Sequence, residues 1–131
     1  MLFVDTSVLY ALLVESEADH RTVRGAFRRV AESGRPMFTT NYVVLETIAL
    51  LQSRIGLDPV RSLDAAILPL IEVVFVDAGL HRRALERLVR LDRRRVSLVD
   101  ASSFEAMDAQ GVTDAFTLDE DFSAQGFRTI P

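Results

Sequence analysis

The chain alternates short apolar runs with segments of helical periodicity, and this alternation constrains its fold more than any other feature. The first run, residues 2–4, ends in Asp5 and leads directly into apolar residues at helical spacing. Further strands are predicted at residues 37–39, 72–76, 115–118 and 127–130. Strands separated by helices form parallel sheets that are covered on both faces. We therefore predict an α/β fold in a single domain, residues 1–131.

The segments between these strands are predicted to be helical, and most begin at a residue that can cap a helix. Polar side chains stand immediately before the apolar periodic residues, and Gly or Pro follows several of the segments. The strand at 72–76 is apolar throughout its last four residues and reads as buried. The predicted helices are 6–13, 20–32, 41–55, 58–68, 78–91 and 97–109, with caps at Asp19, Asn41, Asp58, Asp77 and Ser97.

Composition excludes several classes of protein. No apolar run has the length needed to cross a bilayer, and the first residues lack the basic region of a signal peptide. The chain contains no cysteine, which excludes disulfides and thiolate chemistry and is compatible with the cytoplasm, where we expect the protein. The net charge is −4, and all 15 basic residues are arginine. If five of the 19 acids form a metal pocket, the remaining charges sum to +1, so the acidic balance does not exclude a phosphate substrate.

Four acids stand at positions that favour a common site. Asp5 and Asp119 each follow a predicted strand, and the carboxyl ends of neighbouring parallel strands meet at one edge of a sheet. Glu46 lies within an apolar helical segment, where an unpaired carboxylate would be costly. Asp100 follows Ser97 at capping-box spacing, so it belongs to the first turn of a helix whether or not it also binds a ligand.

Carboxylates brought together in this way require a cation between them. Oxygen ligands select hard ions, so we expect Mg²⁺ or Mn²⁺. The absence of cysteine and the distance of His20 and His81 from these motifs argue against zinc. Such a pocket can hydrolyse a phosphodiester, because a hard divalent ion polarises the phosphate and activates water.

These motifs together resemble the PIN-domain family, and within it the VapC-type toxins of bacterial and archaeal toxin–antitoxin pairs. The matching segments are residues 5–9, 45–47, 97–103 and 117–122, and the likeness spans essentially the whole chain. The resemblance implies a three-layer α/β/α fold with strand order 3-2-1-4-5 and a metal-dependent ribonuclease. It also implies an acidic quartet of Asp5, Glu46, Asp100 and Asp119, a less constant fifth acid, Asp121, and supporting hydroxyls at Thr6 and Thr117.

The same resemblance implies partners. A toxin of this type acts on RNA, and it is neutralised by a VapB-like antitoxin whose C-terminal segment covers the acidic pocket; the family commonly forms homodimers. Tyr10, Leu13, Val43 and Leu50 are candidate floor residues of such a groove, although core packing explains each of them as well. The Arg-rich segment from Arg82 to Arg95 is a candidate RNA contact, with a solvated helix face as the alternative; its members include Arg82, Arg93, Arg94 and Arg95.

Rival assignments differ in the residues that they need. Receiver domains and haloacid-dehalogenase-like phosphatases use a catalytic lysine, and the chain has none. The alternative from another class is a PIN-like module that binds RNA or protein without cleaving it. Loss of a quartet acid would favour that alternative, and all four acids are present.

Overall fold

A computed structural model describes all residues, 1–131, and contains one five-stranded parallel sheet. The strand order is β3-β2-β1-β4-β5, which confirms the order implied by the family resemblance. β1 occupies the centre and pairs in parallel with β2 on one side and β4 on the other. The strands are β1 Leu2–Val4, β2 Met37–Thr40, β3 Glu72–Val74, β4 Asp114–Phe116 and β5 Arg128–Ile130.

Seven helices connect the strands in an α/β/α arrangement. α1 packs against α2 and α3, and α5 packs against α6. The longer helices bury an apolar stripe, as α2 does with Val23, Ala26 and Phe27. The helices are α1 Thr6–Leu13, α2 His20–Ser33, α3 Asn41–Arg54, α4 Asp58–Ser62, α5 Ala78–Leu91, α6 Leu98–Gln110 and α7 Glu120–Ala124.

The core lies around the central strand. β1 is completely buried, and Phe3 packs edge-on against Phe38 of β2 and stacks with Phe122 of α7. Phe104 of α6 meets Phe122 edge-to-face, with ring centroids 4.9 Å apart. These aromatic contacts attach α6 and α7 to the centre of the sheet. They therefore fix the positions of the helices near which Asp100 and Asp119 lie.

Several local predictions were wrong. β3 is an edge strand, not a buried one, and Phe75 immediately after it is 74% exposed. Thr40 caps α3 by accepting from the Val43 N–H, while the Asn41 side chain accepts instead from the Val76 N–H. Asp58 lies inside α4 as its first residue and does not cap it.

Other differences concern the extent of helices. α4 stops at Ser62 and continues as a π turn, Leu63–Ile67, and a 3₁₀ turn, Leu68–Leu70, where Pro69 cannot donate to a helical hydrogen bond. α7 was not predicted, because five residues are too few for a periodic signal. Asp19 precedes α2 as expected, but its side chain makes no capping hydrogen bond. None of the helices combines the length and apolar composition of a membrane span.

Candidate active site

The carboxyl edge of β1 and β4 forms an acidic pocket. The chain leaves β1 towards β2 on one side while β4 lies on the other, and such a change of direction opens a crevice at the ends of the strands. The pocket has a volume of about 340 Å³, and Arg54 is the only basic residue in its lining. Its acidic lining residues are Asp5, Glu17, Asp19, Glu46, Asp100 and Asp119, which come from five separate parts of the fold.

Asp5 is the buried centre of the pocket, with 4% of its surface exposed. The Ser7 and Thr117 hydroxyls donate to its Oδ2 atom over 2.8 and 2.9 Å. Burial raises the pKa of Asp5 above its usual value, and these two hydrogen bonds act in the opposite direction. Both hydroxyls use the same oxygen, so Oδ1 has no side-chain donor; the Thr6 backbone N–H is a further hydrogen-bond donor to this carboxylate.

The same two hydroxyls join β1 to the loop that follows β4. The Ser7 hydroxyl accepts from the Leu118 N–H at 2.9 Å, and the Thr117 hydroxyl accepts from the Asp119 N–H at 3.0 Å. Each hydroxyl therefore donates to Asp5 and accepts from the loop, so its hydrogen-bonding roles are fixed. The position of Asp119 relative to Asp5 follows directly from these bonds.

Asp100 combines a capping role with a place in the pocket. Its backbone N–H donates to the Ser97 hydroxyl, and its Oδ2 accepts from the Ser97 N–H, each over 3.0 Å. The predicted capping box is therefore present. Burial, with further contributions from the Asp5 and Asp119 charges, raises the pKa of Asp100 to about 6. Glu46 of α3 completes the pocket, and burial and then the Asp100 charge raise its pKa.

Asp119 and Asp121 extend the acidic cluster beyond the pocket. Asp119 caps α7 by accepting from the Asp121 N–H at 2.9 Å. One carboxylate oxygen from each of Asp100, Asp119 and Asp121 lies within 4.8 Å of the other two. Burial raises the pKa of Asp119. Arg95 donates to the buried Asp121 carboxylate at 3.0 Å, so an arginine supplies the positive charge at the outer side of the cluster.

This arrangement fits a hard divalent cation. The side chains of the lining that can bind a metal offer only oxygen, from carboxylates and hydroxyls, and no His or Cys that would favour zinc or copper lies among them. The pKa values of Asp5, Glu46, Asp100 and Asp119 are raised chiefly by burial, and the charge of a neighbouring carboxylate adds to the rise in each case. A cation among them would oppose this rise.

The structure brings together the four predicted quartet acids, with Asp121 at their edge. Thr117 contacts Asp5 as a supporting hydroxyl would. Thr6 also lines the pocket; its hydroxyl donates to the Val43 carbonyl of α3 at 3.4 Å and is a hydrogen-bond partner that opposes the rise in the pKa of Glu46. The remaining predicted arginines, Arg82, Arg93 and Arg94, are exposed and do not line the pocket, and Arg82 pairs with Glu86 on its own helix.

Sequence reasoning missed three residues of the site. Ser7 was not recognised as a donor to Asp5, although its place two residues after a strand-end aspartate is a usual one for such a bond. Glu17 and Asp19 line the pocket from the turn before α2. Their surroundings are polar, so no pattern in the sequence separates them from ordinary surface acids.

Comparison with known proteins agrees with this geometry. The chain is 39% identical over 128 residues to the 23S rRNA-specific endonuclease VapC20 of Mycobacterium tuberculosis, covering 97% of this chain and 95% of the relative. The crystal structure of that sarcin-ricin loop cleaving toxin superposes with a TM-score of 0.84, covering 97% of this chain and 96% of the other. FitAcB from Neisseria gonorrhoeae shares the fold at 16% identity, with a TM-score of 0.71 and coverage of 100% and 97%. The PIN domain family matches residues 2–128, and the chain belongs to that family, as its acidic motifs predicted.

Proposed function

We propose that this protein is a metal-dependent endoribonuclease and the toxin of a toxin–antitoxin pair. The observation that carries the proposal is the convergence of Asp5, Glu46, Asp100 and Asp119 in one pocket. The 39% identity to a 23S rRNA-specific endonuclease supports the same conclusion and suggests ribosomal RNA as the substrate. We infer that the cleaved element is a structured loop of the sarcin-ricin type, the target named for the related toxin.

In this proposal the four acids hold Mg²⁺ or Mn²⁺, with Asp121 as a fifth acid at the edge of the cluster. A bound divalent cation supplies Lewis-acid polarisation of the phosphodiester and makes a water molecule acidic enough to attack near neutral pH. Ser7 and Thr117 both donate to Oδ2 of Asp5 and so fix the orientation of its carboxylate, while Oδ1 has no side-chain donor. The capping box fixes the Asp100 carboxylate at the start of α6. The protein thus orients its donors before substrate arrives, so no reorganisation is needed during the reaction.

The experiment is incubation of the pure protein with ribosomes and with total RNA in Mg²⁺, Mn²⁺ or excess EDTA, followed by mapping of the product ends. We expect cleavage with either metal, none in EDTA, and none by Asp5→Asn. Asn retains an oxygen that can accept from both hydroxyls, so the variant is expected to fold. The matched control is Asp64→Asn, an exposed aspartate outside the pocket, which should cleave normally. Full cleavage by folded Asp5→Asn protein would refute the proposal and favour a contaminating nuclease.

An RNA- or protein-binding module without catalysis is the alternative. Binding of RNA without cleavage, by metal-loaded protein shown to be folded and free of antitoxin, would favour it. The complete quartet argues for the enzyme, because a module that only binds gains nothing from carboxylates whose pKa values are raised by burial.

We further propose that the antitoxin occupies the acidic pocket through a basic side chain. The lining is strongly negative, and Tyr10 and Leu50 add apolar surface beside it. Of the other two predicted floor residues, Leu13 does not line the pocket and Val43 is completely buried in the core. A synthetic antitoxin segment should inhibit cleavage, and replacement of its basic residues by Ala should reduce that inhibition.

A homodimer through α3 and α5 is the oligomeric state that we propose. Leu45, Phe75 and Val89 are 68%, 74% and 71% exposed, which is unusual for side chains of this size. Leu45 lines an apolar cavity with His81, and Tyr42 and His81 contact each other across the two helices. Light scattering should give the mass of a dimer for the native chain and of a monomer for Leu45→Glu. A native monomer at micromolar concentration would exclude this interface.

A further inference from the structure

The exposed face of α2 carries four arginines grouped around a glycine. Arg21, Arg24, Arg28 and Arg29 are all exposed, and Gly25 lies among them. Arg21, Arg28 and Arg29 stand one helical turn from Gly25, four residues before it or three and four residues after it. The Arg29 Nη1 atom lies 3.4 Å from the position that a Cβ atom would occupy on this glycine.

The absence of a side chain at Gly25 opens a depression between the guanidinium groups. A cavity of about 300 Å³ is lined by Arg21, Arg24, Gly25 and Arg28, and none of these residues is apolar. Glycine lowers the stability of a helix interior, and its φ angle here is an ordinary one, so backbone geometry does not require it. The glycine therefore provides space, and the space is surrounded by positive charge.

None of these four arginines has an acidic partner, and they are the unpaired arginines that stand together on one helix face around a cavity. Arg35, Arg61, Arg82, Arg87, Arg95 and Arg128 all form ion pairs, whereas none of the four arginines of α2 does. Glu32 follows Arg28 by four residues on the same helix and still makes no ion pair with it. The first turn of α2 contains no acid, so Arg21 and Arg24 add to the positive end of the helix dipole. The guanidinium groups of this face are therefore available to an external anion.

The basic face begins beside the acidic pocket. Glu17 and Asp19 belong to the pocket lining, and α2 starts at the next residue, His20. From Arg21 to Arg28 the helix rises roughly 10 Å away from that lining, which gives room for more than one phosphate. An RNA strand that enters the pocket can therefore extend along this face of α2.

We propose that the face of α2 centred on Gly25 is a second RNA-binding surface, which holds backbone phosphates of the stem adjoining the cleaved loop. The inference rests on the proposed ribonuclease function and adds a binding site outside the acidic pocket. Arginine binds phosphate through a planar fork of donors, and double-stranded RNA is recognised largely through its backbone and shape. An acidic protein partner is less well matched, because protein interfaces have an apolar centre and this lining has no apolar residue.

The test measures binding of a stem-loop RNA to the Asp5→Asn protein, which does not cleave it, across a salt titration. Removing two phosphate contacts with Arg24→Ala/Arg28→Ala should weaken binding about 10-fold at low salt. It should also make the slope of log affinity against log salt shallower by about 1.4–1.8. The control pair Arg61→Ala/Arg128→Ala removes the same charge from exposed positions elsewhere and should bind nearly as the parent does.

Gly25→Glu is a second variant that keeps all four arginines. Its carboxylate should occupy the depression, weaken stem-loop binding as much as the double substitution does, and leave the thermal stability equal or higher. Binding of a short single-stranded oligonucleotide should change less than twofold in either variant, because it reaches the acidic pocket without the stem.

Three results would overturn the inference. They are unchanged stem-loop affinity in both variants, equal weakening by the Arg61→Ala/Arg128→Ala control, and equal weakening of stem-loop and single-stranded binding by both variants. Failure of the proposed ribonuclease function can be distinguished from failure of the α2 binding surface, because it would appear as the absence of metal-dependent cleavage by the native chain. The α2 variants do not enter that measurement.

Discussion

Replacing Asp100 by Asn is expected to stabilise the metal-free protein while abolishing its nuclease activity. At neutral pH the ionised Asp100 is partly buried beside Asp5 and Asp119, and this environment raises its pKa to about 6. Asn removes the charge but keeps an oxygen that can accept from the Ser97 N–H, so the capping box survives. The substitution therefore removes electrostatic repulsion without removing the helix cap.

The magnitude follows from the pKa. A rise from 3.8 to about 6 corresponds to about 3 kcal/mol of stability lost when the folded chain carries ionised Asp100. Asp100 is only partly buried, and solvent screens its charge, so we expect a gain of about 1–2 kcal/mol for Asn. In a domain of this size that gain raises the melting temperature by about 4–8 °C.

The pH dependence has a definite sign. The folded protein binds the Asp100 proton more tightly than the unfolded chain does, so the stability from this group is full below pH 3.8 and is lost as pH rises through about 6. Asn mimics the protonated side chain at every pH. The advantage of the variant should therefore be absent near pH 4, grow between pH 4 and 6, and become constant above about pH 7.

Thermal and urea denaturation in EDTA from pH 4 to pH 8 measures this difference. Added Mg²⁺ or Mn²⁺ should stabilise the native chain more than the variant and reduce the gap between them. Asp114→Asn is the matched contrast, because hydrogen bonds from Arg128 and Arg35 hold the pKa of Asp114 below its usual value. That variant should lose stability at neutral pH. An Asp100→Asn protein that is no more stable than the native chain in EDTA at pH 7.5 would refute the reasoning, as would an advantage independent of pH.

Two further predictions concern positioning and RNA contact. Thr117→Val removes the hydroxyl that joins the buried strand-end aspartate to the following loop; we expect cleavage to fall about 10–100-fold and Thr117→Ser to restore most of it. Joint replacement of Arg93, Arg94 and Arg95 by Ala should weaken RNA binding in a salt-dependent way, as the sequence suggested. Unchanged affinity across a salt titration would remove this segment from the RNA-binding surface.

The alternation of strands and helices was predictable because each element has its own periodicity and capping residues within a short stretch of sequence. Strands at residues 2–4 and 37–40 and helices such as α1 and α5 follow from periodicity and capping residues in short windows. The edge position of β3 does not follow from its composition, because an apolar strand reads the same in the middle of a sheet and at its edge; it follows only from the strand order, which the family resemblance supplied. Only the strand order decides which one is exposed, and here the exposed residue is Phe75.

The quartet was predictable for a different reason. Asp5 and Asp119 each stand directly after a predicted strand, and Glu46 is a charged residue within an apolar helical segment. Each of these acids can therefore be recognised from the residues next to it in the sequence. Glu17 and Asp19 lie in a polar turn, where acids are common, so their neighbours in the sequence do not identify them. They line the pocket because the turn after α1 folds back against it. Thr6 was predicted from the resemblance alone, and it lines the pocket, where its hydroxyl is a hydrogen-bond partner of Glu46 and not of Asp5.

The bonds from Ser7 and Thr117 to Asp5 also determine when the site exists during synthesis. Asp5 and Thr117 are separated by 112 positions in the chain, and β4 must pair with β1 before the two meet. A ribosome making this protein therefore releases almost the whole domain before the pocket can close. A nuclease directed at ribosomal RNA would remain harmless to the ribosome that translates it until that moment, without any inhibitor being present.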